Sequence, residues 1–180
     1  NGELVSGTED VTLLFTSEQL LANDHDPDTL TDGQVLSISA VSNAQHGTVS
    51  IKANGQIEFI PDANFAGTAS FDYTVSDGAG GFSVATATVN LAAVNDAPLV
   101  TGESVDATED VPLNIQASLL LANDSDIDNP LSDLKIVSAG SATHGSVTLN
   151  ADGSLTFVPD LNYFGPASFV YTVSDGSGGF

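Results

Sequence analysis

Six carboxylates in this 180-residue chain stand at a spacing that suits a hard cation. Asp24, Asp26 and Asp28 alternate in Asn23-Asp24-His25-Asp26-Pro27-Asp28, and Asp124, Asp126 and Asp128 alternate in Asn123-Asp124-Ser125-Asp126-Ile127-Asp128. In an extended or looping backbone, positions two apart point the same way, which crowds like charges unless a cation sits among them. Oxygen donors with no cysteine in the chain favour calcium over zinc or copper. The turn preference of Asp and Asn produces the same pattern with no ion at all, and on these residues alone both readings stand.

The charge of the whole chain bears on the choice. Asp and Glu number 24 against 2 Lys and no Arg, a net charge of −22. The acids are spread evenly, 13 up to Asp96 and 11 after it, so the charge is no terminal tail. Phosphate neutralisation needs Lys and Arg, which excludes nucleic acid as a partner. Anionic membrane surfaces are disfavoured for the same reason, and no run of 18 apolar residues is present for insertion. With 41% hydrophobic residues the chain can bury a core, so a polyanion must fold against its own repulsion. A bound divalent cation relieves that repulsion where it is densest.

Stepping outward from the clusters, nearly everything before Val94-Asn95-Asp96-Ala97-Pro98 recurs after it. Thr8-Glu9-Asp10 returns as Thr108-Glu109-Asp110, and Leu20-Leu21-Ala22-Asn23-Asp24 as Leu120-Leu121-Ala122-Asn123-Asp124. After a two-residue contraction, Pro61-Asp62 answers Pro159-Asp160, and Tyr73 to Gly78 answers Tyr171 to Gly176. A period near 100 exceeds that of a solenoid unit and matches a self-sufficient domain. The expected division is residues 1–96 and 97–180. The second copy stops at Phe180, so the counterpart of Ser83 to Val94 is absent and its sandwich is expected to lack its final strand.

The elements that carry the clusters read as strands. Val11, Leu13 and Phe15 alternate, as do Leu36, Ile38 and Ala40, and Val49 and Ile51 face Ile57 and Phe59 across Ala53-Asn54-Gly55. Asn-Gly between alternating runs is a hairpin signal because both residues tolerate positive φ. Phe71, Tyr73 and Val75 share a face, and the run from Phe82 to Leu91 forms a further strand supplying Val84, Val89 and Leu91 to the core. No segment shows sustained helical periodicity. Some seven short strands over about 100 residues predict an all-β fold of two tandem antiparallel β-sandwiches.

At this point the residues resemble a family. Ala122-Asn123-Asp124-Ser125-Asp126 is similar to the A-x-D-x-D of cadherin repeats, Val75-Ser76-Asp77-Gly78 to their A-x-D-x-G, and Asn95-Asp96-Ala97-Pro98 to their linker D-x-N-D-N-x-P. The order T-E-D, L-L-A-N-D-x-D, H-G-x-V, P-D-x-N-F/Y-x-G and Y-T-V-S-D-G-x-G-G resembles more closely the bacterial cadherin-like repeats, also called tandem-95 or VCBS-like. These motifs cover both copies almost end to end.

The resemblance implies a calcium-bound rod module. By position, a junction ion would draw on Glu9, Asp62 and Asn64 of the first copy, Asn95 and Asp96 of the linker, and Asp124, Asp126 and Asp175 of the second. Asp24, Asp26 and Asp77 would form the matching upper half-site of the first copy, and Glu109, Asp160 and Asn162 the lower half-site of the second. The linker departs from the cadherin pattern with Ala92 and Ala93 where an acid leads and Ala97 in place of the last Asn, and Asn64 replaces a Glu. Fewer charged ligands imply fewer or weaker ions per junction.

The function that follows is a calcium-rigidified extender of a large, repetitive extracellular adhesin, in the setting of cell adhesion and biofilm. Its partners would be neighbouring repeats of the same chain, with host-surface or homophilic contacts left open. The alternative is a calcium-dependent carbohydrate- or protein-binding module, disfavoured by the absence of Trp. Catalysis is not expected, because the paired carboxylates sit in turn motifs and glycosidase chemistry needs a cleft holding one of them protonated. His46 and His144 each precede a Gly at a strand start, where turn placement explains them better than metal ligation.

Overall fold

The computed structural model describes residues 2–26 and 33–180. Contacts divide the chain into two compact units, Asn1–Val94 and Asn95–Phe180. Both are built of strands packed as a sandwich, so the fold is all-β as expected.

In the first unit the strands are β1 (Glu3–Thr8), β2 (Leu13–Phe15), β3 (Ser37–Gln45), β4 (Gly47–Ile51), β5 (Ile57–Pro61), β6 (Gly67–Ser76) and β7 (Phe82–Ala92). One sheet runs β1-β7-β6-β3 and the other β2-β5-β4. Every ladder is antiparallel except β1 against β7, which is parallel.

Period-two alternation selects the core. Ala69, Phe71, Tyr73 and Val75 of β6 and Ile57 and Phe59 of β5 are buried between the sheets. The Phe59 and Phe71 rings stack at 5.7 Å between centroids. Side chains of this size, fully buried, stabilise by about 1.5–3 kcal/mol each. On β7 only the second half faces inward: Ala87, Val89 and Leu91 are buried, whereas Phe82 and Val84 are exposed. The core role expected of Val84 therefore passes to Ala87.

Two features depart from simple alternation. A bulge between Ile38 and Ala40 shifts the register of β3 on β6, so the inward set becomes Ile38, Val41 and Ala44 and Ala40 turns to solvent. One extra residue in a strand inverts the faces beyond it. In the β4–β5 hairpin, Gly55 adopts φ +83° while Asn54 keeps a negative φ. The Gly55 N–H donates to Lys52 O at 2.9 Å and the Lys52 N–H to Gln56 O at 2.8 Å, a three-residue loop with glycine in the left-handed position.

The second unit repeats the plan with β8 (Leu113–Ile115), β9 (Lys135–Thr143), β10 (Gly145–Leu149), β11 (Leu155–Pro159) and β12 (Ser168–Ser174). Its sheets run β10-β11-β8 and β12-β9. Ile115, Leu120, Leu134, Ile136, Leu155 and Val173 form its core. Residues 103–108, which correspond to β1, carry no strand ladder.

Each unit also has a single helical turn, α1 (Ser17–Leu20) and α2 (Ala117–Leu120). Thr16 and Gln19 close a capping box on α1. One turn is too short to show periodicity in sequence, yet it buries Leu20 and Leu120 and delivers the chain into the acidic loops. Among the described residues no helix is long and apolar enough to cross a membrane.

Candidate metal centre

In the second unit the acidic loop after α2 is locked to the segment that opens the unit. Leu99 and Ser125 form a reciprocal backbone bridge, Leu99 N–H to Ser125 O at 2.8 Å and Ser125 N–H to Leu99 O at 3.1 Å. The Thr101 N–H donates to Asp124 Oδ1 at 2.8 Å, and the Asp96 N–H to Asp128 Oδ2 at 2.8 Å.

Asp126 organises the loop from inside. Its Oδ1 accepts from the backbone N–H groups of Asp128 and Asn129, both at 2.9 Å. The Asn129 side-chain amide then donates to Asn95 Oδ1 at 3.0 Å, and the Asn95 amide donates to Asp175 Oδ2 at 2.6 Å. Asn95, Asp96, Asp124, Asp126 and Asp175 thus belong to one hydrogen-bonded cluster.

Asp175 belongs to a glycine-rich turn after β12. Its Oδ1 accepts from the N–H groups of Ser177, Gly178 and Gly179 at 2.7, 3.0 and 3.0 Å. The Asn95 amide, followed by these backbone donors, holds the carboxyl below the usual carboxylate range against the opposing effect of burial. A Cβ on Gly179 would run into Asp175 Oδ2 and lie 2.9 Å from Ala97 Cα, so glycine is required for this approach.

The donor set suits a hard cation. Asp124 is 7% exposed and Asp175 3% exposed, and Oδ2 of both Asp124 and Asp126 is buried with no hydrogen-bond donor. A buried carboxylate oxygen without a donor is costly unless a cation neutralises it. Oxygen-only ligands in a loop of this kind fit calcium.

The corresponding residues of the first unit are arranged alike. Asp24, Asp26 and Asp77 line one cavity of about 380 Å³ together with His25, Leu36 and Phe82. Asp77 Oδ1 accepts from Ala79 and Gly81 N–H at 2.8 and 2.9 Å, and these donors hold its carboxyl below the usual range. Asp28 and Pro27 lie outside the described residues.

Glu9 and Glu109 differ. Glu9 is 2% exposed; its N–H donates to Ala92 O at 3.0 Å, and its Oε1 accepts from Val94 N–H at 2.7 Å. Glu109 is exposed. Asp62, Asn64, Asp160 and Asn162 are exposed turn residues. Asp10 Oδ1 accepts from Asn64 N–H at 2.9 Å, and Asp110 Oδ1 from Asn162 N–H at 2.7 Å. The T-E-D turn is thereby tied to the P-D-x-N turn in each unit. Asn64 and Asn162 sit at φ +56° and +57°, a left-handed conformation that Asn adopts more readily than Glu.

Three contributors lay outside the expected ligand set. Asp128 and Asn129 bond directly to it, and alternate spacing in the loop already pointed to Asp128. Glu103 accepts from the Tyr171 hydroxyl at 2.6 Å through Oε2, while its Oε1 is buried without a donor. Nothing in sequence spacing singles out Glu103. Burial first, then the Glu103 bond and charge and the charge of Asp124, push the Tyr171 hydroxyl above its ordinary value. Tyr73 is raised likewise, by burial and by Asp24 and Glu3.

His46 and His144 occupy left-handed turn positions at φ +56° and +55°. Each ring stacks at 3.9 Å, on Phe65 and on Tyr163 respectively.

A family model described as Cadherin-like domain matches residues 1–92 and again 94–180. The chain belongs to the cadherin-like domain family. Its two units are therefore two cadherin-like repeats. A search of curated proteins finds no match. Among solved structures, the chain is similar to an endo-fucoidan hydrolase, MfFcnA4 of glycoside hydrolase family 107, at 18% identity and TM-score 0.38, over 98% of this chain and 26% of that one. It is also similar to extracellular cadherin domains 3–6 of protocadherin gamma B2, at 15% identity and TM-score 0.41, over 96% and 45%. Protocadherin gammaB7, in a structure titled as a cis-dimer, matches at 13% identity, TM-score 0.41 and the same coverage. The chain thus spans about a quarter of the hydrolase and under half of each protocadherin.

Proposed function

We propose that these cadherin-like repeats are a calcium-rigidified extender module of a large, repetitive extracellular adhesin, of the bacterial tandem-95 or VCBS-like kind. The observation that carries the reading is the acidic cluster of the second repeat, where Asp124 and Asp126 each keep one buried carboxylate oxygen without a donor. Linker residues Asn95 and Asp96 are bonded into the same cluster.

Calcium would be held by Asp124, Asp126 and Asp175, with Asp96, Asp128 and the side-chain oxygen of Asn95 or Asn129 to complete an oxygen shell. Its charge would offset the local carboxylate repulsion. Because residues 95–101 carry or adjoin those ligands, the ion sits at the inter-repeat junction in this proposal, where Glu9, Asp62 and Asn64 are the contributions drawn from the first repeat. The first repeat carries a like upper site at Asp24, Asp26 and Asp77, and the second a lower half-site at Glu109, Asp160 and Asn162. The role is mechanical and non-catalytic, and its setting is the cell surface or the secreted state.

The test is a calorimetric calcium titration of the metal-free chain and of its Asp124→Asn/Asp126→Asn variant. Saturable binding with dissociation constants of about 10⁻⁴ to 10⁻³ M, lost at one site in the variant, supports the reading. No heat in the millimolar range overturns it. A scattering dimension unchanged by chelation would remove the stiffening role while leaving the ion.

A further inference from the structure

In the first repeat, β7 lies between two strands. The ladder places Val89 beside Val5 of β1 and Ala69 of β6, and Leu91 beside Gly7 and Gly67. Ala87, Val89 and Leu91 fill the core beneath.

The second repeat has the walls of this slot. Val105 and Ala107 stand where Val5 and Gly7 do, and Gly165 and Ala167 where Gly67 and Ala69 do. Among the described residues, no strand lies between them: β12 pairs with β9 alone. Two cavities open there. One, of about 240 Å³, is lined by Val105, Ala107, Ala167, Phe157 and Phe169, the surroundings that Val89 has in the first repeat. The other, of about 340 Å³, is lined by Ala107, Gly165, Ala167 and Phe157, where a side chain in the place of Leu91 would insert.

We infer that the second repeat is a receptor for one extended β-strand of the β7 type, supplied by a cadherin-like repeat. The strand would run parallel to residues 103–108 and antiparallel to β12, with apolar side chains at three alternate positions. The free edge of β12 offers unpaired N–H and C=O groups along one side, and the cavities select the side chains, as in recognition by strand addition. Size and charge agree with this occupant. Small residues at 107, 165 and 167 leave room for a valine and a leucine, and the β7 sequence Phe82–Ala92 carries no charge, so it enters a chain of charge −22 without repulsion. The inference stands apart from the calcium reading, since no slot residue is a proposed ligand.

The test adds a synthetic peptide of residues 82–92 to the 180-residue chain, followed by calorimetry and amide hydrogen exchange. Saturable one-to-one binding is expected, with new protection at residues 103–108 and 168–174. A peptide carrying Val89→Asp should bind at least about tenfold more weakly, because it buries an unpaired carboxylate. The chain variant Ala167→Arg, at an exposed position, should lose binding with its thermal unfolding unchanged. The proposal is overturned if the native peptide does not bind at about 1 mM, or if both peptides bind equally. It is also overturned if the chain forms a dimer that the peptide leaves intact, which would make a second copy the occupant.

Discussion

The side-chain amide of Asn95 donates to Oδ2 of Asp175 at 2.6 Å, so the residue that opens the second repeat is held by a carboxylate near its end. That bond is the first cause of the lowered Asp175 pKa. A carboxyl lowered in the fold stabilises it above the ordinary value of about 3.9, and that stability is lost as pH falls through the lower native value. Replacing Asn95 by Ala should bring the Asp175 titration, followed by NMR, back toward the ordinary value. The acid loss of stability in the second repeat should become shallower.

Tyr73 and Tyr171 predict the opposite limb. Both hydroxyls are raised above the ordinary value of about 10, so the unfolded chain ionises first and stability falls as pH rises past that value. Ultraviolet titration of the folded chain should show the two phenols ionising later than that of a model tyrosine. In Tyr73→Phe, the Leu20 carbonyl loses the buried bond it accepts at 3.0 Å, at a cost of about 1–3 kcal/mol in urea unfolding.

The two Asp turns should cost alike. Asp10 and Asp110 adopt φ +59° and +62° and accept from Asn64 and Asn162 N–H. Substitution by Ala removes a hydrogen bond and leaves a side chain strained in the left-handed region, each about 1 kcal/mol. Substitution by Gly should recover the strain but not the bond, a difference that chemical denaturation resolves.

Gly179 provides a probe of the metal centre. In Gly179→Ala the new methyl meets the Asp175 carboxylate and the Ala97 backbone, so one of them must shift. Calcium affinity at this site should fall by about tenfold or more, whereas the hydrophobic core is untouched and thermal unfolding without calcium should change little.

In the core of the first repeat, Val89 is fully buried beside Ala69 and Val5. Val89→Ala should destabilise that repeat by about 1–2 kcal/mol in two-step thermal unfolding, with the transition of the second repeat unmoved.

Much of this was written in residue order. The duplication, the all-β character and the acidic loops follow from local pattern, because strand alternation and turn chemistry are set by neighbours in the chain. The positions of Asp124, Asp126 and Asp175 in one cluster were legible only through motif resemblance, since Asp175 lies 51 residues from Asp124 in the numbering and joins it through loop packing. The partnership of Tyr171 with Glu103, the bulge that turns Ala40 outward, the parallel pairing of β1 with β7 and the slot beside β12 carry no local signal. Each depends on which strand lies next to which, a choice made by the packing of two sheets rather than by the order of residues. The sequence by itself determined two acidic β repeats with cation-bearing loops; the tertiary structure decided which oxygens are left without donors and which strand edge is left without a partner.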